Sequence, residues 1–127
     1  MNEWPRPFHA RILLRILSAL LTVCLLVQFF IAGMAAMTNP EWWVFHSDWV
    51  NIFQWLVVPL PILAWLGGPP RGRRVAVAVL PVLQIAAQYV LAHRAIEGRF
   101  GIGLGLHALD AALMLLVAAA LASGVVD

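Results

Sequence analysis

A chain of 127 residues in which 63% are hydrophobic is too apolar for a soluble domain, whose apolar share is nearer half. Its eight basic residues are all arginine and its formal net charge is +2, but the arginines form no run interleaved with aromatics, which excludes the electrostatic footprint of a nucleic-acid binder. Serine–histidine–acid sets, H-E-x-x-H and paired Cys/His zinc spacings are all missing, and the lone Cys24 allows no internal disulfide.

Four apolar runs carry the composition, at about residues 12–37, 46–66, 75–93 and 101–122. Each approaches the roughly 20 residues a helix needs to cross the hydrocarbon core. The expectation is an all-α membrane protein: residues 1–127 as one four-transmembrane-helix bundle, with membrane lipid as its solvent.

Residues 1–11 read as a short polar arm in which Trp4 and Phe8 suit the headgroup layer. The first apolar run is longer than the roughly 7–15 residues of a signal-peptide core, so it is expected to stay as a span. Thr38–Asp48 reads as an interface loop with Trp42, Trp43, Phe45 and Trp49 as its aromatic belt. Pro59 and Pro61 fall inside the second span and predict a kink near Val57–Leu60. Gly67-Gly68-Pro69-Pro70-Arg71-Gly72-Arg73-Arg74 breaks the chain before the third span, and Arg94–Phe100 is a short loop before the fourth.

Six arginines (Arg6, Arg11, Arg15, Arg71, Arg73, Arg74) fall on one side of such a bundle and two (Arg94, Arg99) on the other. The positive-inside rule then puts both termini and the Gly-Pro-Arg loop in the cytoplasm, with the protein multi-pass in a bacterial inner membrane. At about 1.5 Å of rise per residue, Gln28 lies roughly 24 Å from the inner surface, Gln84 and Gln88 roughly 14 and 20 Å, and His107 and Asp110 roughly 9 and 14 Å inward from the outer one. Apart from Gln54, intramembrane polarity is concentrated in the outer half, as a ligand site near that face would require. Leu26-Val-Gln28-Phe-Phe-Ile-Ala-Gly33 ahead of His46, and Val82-Leu-Gln84-Ile-Ala-Ala-Gln88 ahead of His107, also suggest a parallel two-hairpin repeat.

The fourth span opens with Gly101-Ile-Gly-Leu-Gly-Leu-His-Ala-Leu-Asp110. His107 and Asp110, at i and i+3, share a helix face. Gly101 and Gly105 form a G-x-x-x-G pair that admits another helix, or a flat ligand, close to the backbone. An ionisable residue inside a span usually faces the bundle interior and marks function. His107 is therefore either a metal or haem ligand or a histidine hydrogen-bonded to Gln84 or Gln88. His46 is either its counterpart or part of the tryptophan belt. Asp110 is a candidate partner for the second ring nitrogen of His107. Gln28, Gln84 and Gln88 are interhelical glue or ligand contacts. His93, beside Arg94, and His9 in the arm read as solvated.

With a histidine on the second and fourth helices, the Gln28 stretch ahead of His46, and Leu83-Gln84 ahead of His107-Ala-Leu-Asp-Ala, the chain resembles one four-helix half of the haem A synthase family. It is also similar to small four-helix bacterial membrane proteins that share the Q-F-F-x-A-G and histidine pattern, here Gln28–Gly33. The resemblance implies that His46 and His107 are axial haem ligands. It does not carry over the synthase's outer-loop cysteine pair, which is absent here, or its catalytic glutamate, since Glu41 is separated from His46 by Trp-Trp-Val-Phe. The function expected is binding of b-type haem (haem b) between helices near the outer face, for electron transfer rather than catalysis. His46 and His107 would ligate the metal, with Gln28, Gln84, Gln88, Gly105 and Asp110 around it. Two other readings stand beside it: a cofactor-free accessory or scaffold subunit packed on other membrane-protein subunits, and a lipid- or quinone-binding protein using the same pocket.

Overall fold

The structure, a computed structural model, describes residues 6–99 and 101–127. The expected interface role of Trp4 and the end of the third loop at Phe100 lie outside the described residues. The described chain is helical throughout, with α1 Arg6–Met37, α2 Trp42–Phe53, a 3-10 turn Gln54–Val57, α3 Pro59–Leu66, α4 Gly72–Ile96 and α5 Gly103–Ser123. With α2, the turn and α3 taken as one bent span, four helices are long and apolar enough to cross a membrane.

Several boundaries move from their expected positions. Helix α1 begins six residues before Ile12, because Pro7 in the first turn costs no hydrogen bond. The aromatic belt is not a loop: Trp42, Trp43, Phe45 and Trp49 all lie in α2, and only 38–41 connect it to α1. Helix α4 runs from Gly72 to Ile96 and continues through a buried Pro81. The kink falls close to its expected place. Pro59 has no N–H for the Trp55 carbonyl four residues back, so Val58 N–H takes that carbonyl instead at 3.3 Å, in a tighter turn.

Inward-facing residues recur at steps of four and three. The buried row on α1 is Ala10, Leu14, Ser18, Leu21 and Leu25. The second span contributes Phe53, Val57, Leu60 and Ala64, α4 contributes Arg74, Ala78, Pro81 and Gln88, and α5 contributes Met114, Ala118 and Leu121. A repeat of about 3.5 keeps one seam of each helix facing its neighbours. Ala64, Ala78 and Ala118 are fully buried, since small residues let membrane helices approach closely.

Around the bundle, α1 packs against α5 on one side and against α2 and α3 on the other, and α4 closes the ring between α3 and α5. The second span is uneven, however. Its α3 half touches both α1 and α4, whereas no Cα of α2 comes within 8 Å of one on α4 or α5. The bundle is tight at one end and open along the α2–α4 side at the other.

The tight end holds the arginines. Arg74 is fully buried. Its Nε donates to Ala64 O at 3.0 Å, and its guanidinium also donates to Gly68 O and pairs with Asp127 Oδ1 at 3.4 Å. Arg11 donates to Gly67 O at 2.6 Å and to Pro69 O at 3.0 Å, and Arg15 pairs with Asp127. These arginines cap the carbonyls that α3 and its turn leave without intrahelical donors. Read from sequence as topology markers alone, Arg11, Arg15 and Arg74 also lock this end of the bundle.

Candidate functional site

At the open end the four-and-three seams continue, but the residues on them turn polar. Gln28 follows Leu21 and Leu25 on α1. His46 precedes Val50 and Phe53 on the second span. Gln88 follows Pro81 on α4, and His107 and Asp110 precede Met114 on α5. The same periodicity that buries leucine lower down therefore turns two imidazoles, two amides and a carboxylate inward.

Each helical hairpin is tied in the same way. Gln28 Nε2 donates to His46 O at 3.1 Å, and Gln88 Nε2 donates to His107 O at 2.8 Å. The two similar bonds are made by Gln28 and Gln88, one helical turn away from the Gln28 and Gln84 pairing expected from sequence. Gln88 also donates to Asp110 Oδ2 at 2.6 Å. Asp110 thus holds the amide that holds α5. Of the partners expected for His107 it is Gln88 that faces the ring, through its backbone carbonyl 3.2 Å from Nδ1, and not Asp110 or Gln84. A proton on Nδ1 facing that carbonyl leaves Nε2 with its lone pair, the form in which histidine binds metals.

The two imidazoles come together across the open side. Their ring centroids are 6.3 Å apart, with an interplanar angle of 48°. The edge of Trp43 closes on His46 at 5.2 Å. Trp49 Nε1 donates to Cys24 O at 3.0 Å and fastens α2 to α1. On the α4 side, the Tyr89 hydroxyl lies 3.3 Å from Asn51 Oδ1 of α2 and 2.9 Å from Gln54 Oε1 of the 3-10 turn. Tyr89, Asn51 and Trp49 drew no attention as site residues in the sequence, where a belt residue and a wall residue look alike.

Four buried side-chain polar atoms lack a hydrogen-bond partner among the described residues: Ser18 Oγ, Gln28 Oε1, His46 Nδ1 and Gln84 Oε1. Three of them lie at the histidine end. Leaving such an atom unpaired costs about 1–3 kcal/mol, so these three are free to bond water or another molecule at that end. A Cβ added at Gly101 or Gly105 would meet nothing within 4 Å and both residues are exposed, so no described helix packs on that G-x-x-x-G pair, and it lies on the face of α5 away from His107.

Chemically, two imidazoles alone do not make a bare-ion site, and among the described residues no three or more His, Cys, Asp or Glu converge to hold a metal ion. Two imidazoles suffice only for a metal that brings its other ligands with it. An imidazole nitrogen sits about 2.0 Å from its metal and about 1.1 Å from its ring centre by ordinary bond lengths. Two rings on opposite sides of one ion therefore have centres about 6.2 Å apart, against 6.3 Å here. The separation of the two rings is the feature this pair shares with two imidazoles on opposite sides of one ion.

The remaining histidines lie apart. His93 is 74% exposed and pairs with Glu97 at 3.0 Å, in keeping with its solvated reading. A surface hollow of about 390 Å3 is lined by Val90, His93, Arg94, Glu97 and Arg99 and includes none of the seam residues. His9 packs edge-on against Phe8.

Comparison with curated proteins and with solved structures brings no match. A family model does match, over residues 28–96, a stretch that opens on Gln28, includes His46, Gln84 and Gln88, and ends before His107. Because the match takes in more than half of the chain, the protein belongs to that family, a family of unknown function (DUF6220).

Proposed function

We propose that this protein binds a b-type haem between α2 and α5, with His46 and His107 as its axial ligands, and serves one-electron transfer within the membrane. The observation that carries the reading is the 6.3 Å separation of the two imidazoles, the spacing expected of two ligands on opposite sides of one ion. The resemblance to a half of the haem A synthase family points the same way. Haem iron with both axial positions filled supplies electron exchange rather than oxygen chemistry. The chain's own residues do the rest. Gln88, through its carbonyl, holds the His107 ring with Nε2 free. Gln28 fixes the backbone of His46. Asp110 steadies Gln88. Gln84 lines the same side one turn deeper. In this reading the arginine end faces the cytoplasm and the histidine end the outer side of a bacterial inner membrane.

One observation favours a second reading. Gln28 Oε1 and Gln84 Oε1 are buried acceptors without donors, and a quinol or another hydroxylated membrane molecule would bring donors to them. The experiment that separates the readings is an absorption spectrum, oxidised and reduced, of detergent-purified protein before and after incubation with haem. Stoichiometric low-spin haem supports the proposal. Absence of haem uptake, with quinol binding or with recovery as a cofactor-free subunit of a larger complex, contradicts it.

A further inference from the structure

The two histidines are mounted differently, and resting on the haem reading above, we infer that His46 is the exchangeable ligand. In this reading α2 swings away from α4 to release it, opening one coordination position to a small neutral ligand while His107 keeps hold.

His107 is fixed from several directions. Its Nδ1 faces Gln88 O at 3.2 Å, its carbonyl accepts from Gln88 Nε2 at 2.8 Å, and Gln88 is itself tied to Asp110. Helix α5 is packed on both flanks, by α1 and by α4. A ligand ring held through its second nitrogen keeps its orientation when the metal bond is stretched.

His46 shares only the tie at its carbonyl, which accepts from Gln28 Nε2 at 3.1 Å. Its Nδ1 is buried and has no hydrogen-bond partner among the described residues. Its helix packs on α1 alone among the other spans. That helix is joined to α3 through the 3-10 turn Gln54–Val57 and Pro59, an interruption of the helical ladder at which φ and ψ change with little loss of hydrogen bonding. On the α4 side the contact is the half-exposed Tyr89 hydroxyl, which has one proton to share between Asn51 Oδ1 and Gln54 Oε1. The Trp49–Cys24 and Gln28–His46 bonds lie on the α1 side and form the pivot. Exchange breaks the His46 nitrogen–iron bond and forms one from the lone pair of the incoming ligand, with no change in electron count.

The test uses the full chain loaded with haem, reduced with dithionite and mixed with carbon monoxide. The wild-type adduct should have the same spectrum as the adduct of His46→Ala, because His107 lies opposite the bound molecule in both. His46→Ala should bind carbon monoxide about 10-fold faster or more, since every molecule then starts with the position open. Tyr89→Phe removes the link from α4 to Asn51 of α2 and to Gln54 of the 3-10 turn and should raise the wild-type rate by about 2- to 10-fold. A wild-type protein that forms no adduct, or one whose adduct matches that of His107→Ala, overturns the inference while leaving the haem reading intact. Absence of any haem spectrum removes both. Hydrogen exchange on haem-free protein gives an independent arm: amides at 46–53 should exchange faster than those at 107–114, and equal protection of the two segments would overturn the hinge.

Discussion

Replacing Arg74 by methionine removes the one fully buried guanidinium while keeping much of the apolar stem. In the native protein that guanidinium caps Ala64 O and Gly68 O and shares Asp127 with Arg15. Ala64 O belongs to the last turn of α3. Gly67 N–H turns to Leu63 O and Gly68 N–H to Trp65 O, so the Ala64 carbonyl has no replacement donor in the chain. Two buried carbonyls left bare at about 1–3 kcal/mol each give a loss of about 2–6 kcal/mol. Asp127 adds little, because Arg15 remains and is itself 47% exposed, where ion pairs are worth about 0–1 kcal/mol. Lysine at this position keeps the charge but not the planar fork and should recover less than half of the loss. The assay is unfolding in mixed micelles followed by circular dichroism, with Asp127→Asn as a control expected to stay within about 1 kcal/mol. A Met variant that unfolds within about 0.5 kcal/mol of the wild type would show that water or lipid headgroups cap those carbonyls equally well and would refute the reasoning.

Gln88→Ala strips the donor from both His107 O and Asp110. It should cost about 1–3 kcal/mol of stability in the same unfolding assay and weaken haem retention by about 10–100-fold in titration. Gly105→Ala meets open space, so it should leave thermal stability unchanged or raise it by up to about 1 kcal/mol through helix propensity; a drop in Tm would show that something does pack there. A cysteine placed at Gly72, where an added Cβ meets nothing, should stay unlabelled by an impermeant maleimide in intact cells. The native Cys24, 6% exposed, supplies the background, and labelling from outside would reverse the proposed orientation.

The spans were legible because apolar length is a strong signal: once a backbone enters hydrocarbon, only a helix satisfies its own polar groups. The kink was legible because Pro59 removes a specific donor. What misled was polarity at the ends. Trp42, Trp43 and Phe45 look like loop, yet they lie in the first turn or so of α2, and only 38–41 connect it to α1. The approach of the two histidines was readable from depth, and Gln88 was among the partners the sequence offered His107. What no letter marks is that the ring faces the backbone carbonyl of Gln88 rather than its side chain or Asp110, since every residue carries a carbonyl. The steps of four and three could have been followed from Leu14 and Leu21 to Gln28, and from Arg74 and Ala78 to Gln88, which singles out Gln88 over Gln84 without a structure. Arg74 stayed hidden for the opposite reason. An arginine beside a Gly-Pro loop is ordinarily a topology marker, and its burial depends on carbonyls contributed by α3 and a carboxylate 53 residues away.

The central claim is that His46 and His107 hold one haem between them, and the low-spin signal of the oxidised protein in electron paramagnetic resonance tests it most directly. Haem-loaded wild-type protein should give a low-spin ferric spectrum, and His46→Ala and His107→Ala should each lose it, becoming high-spin or free of haem. A low-spin spectrum that survives unchanged in both variants would contradict the claim and move the ligands elsewhere in the chain.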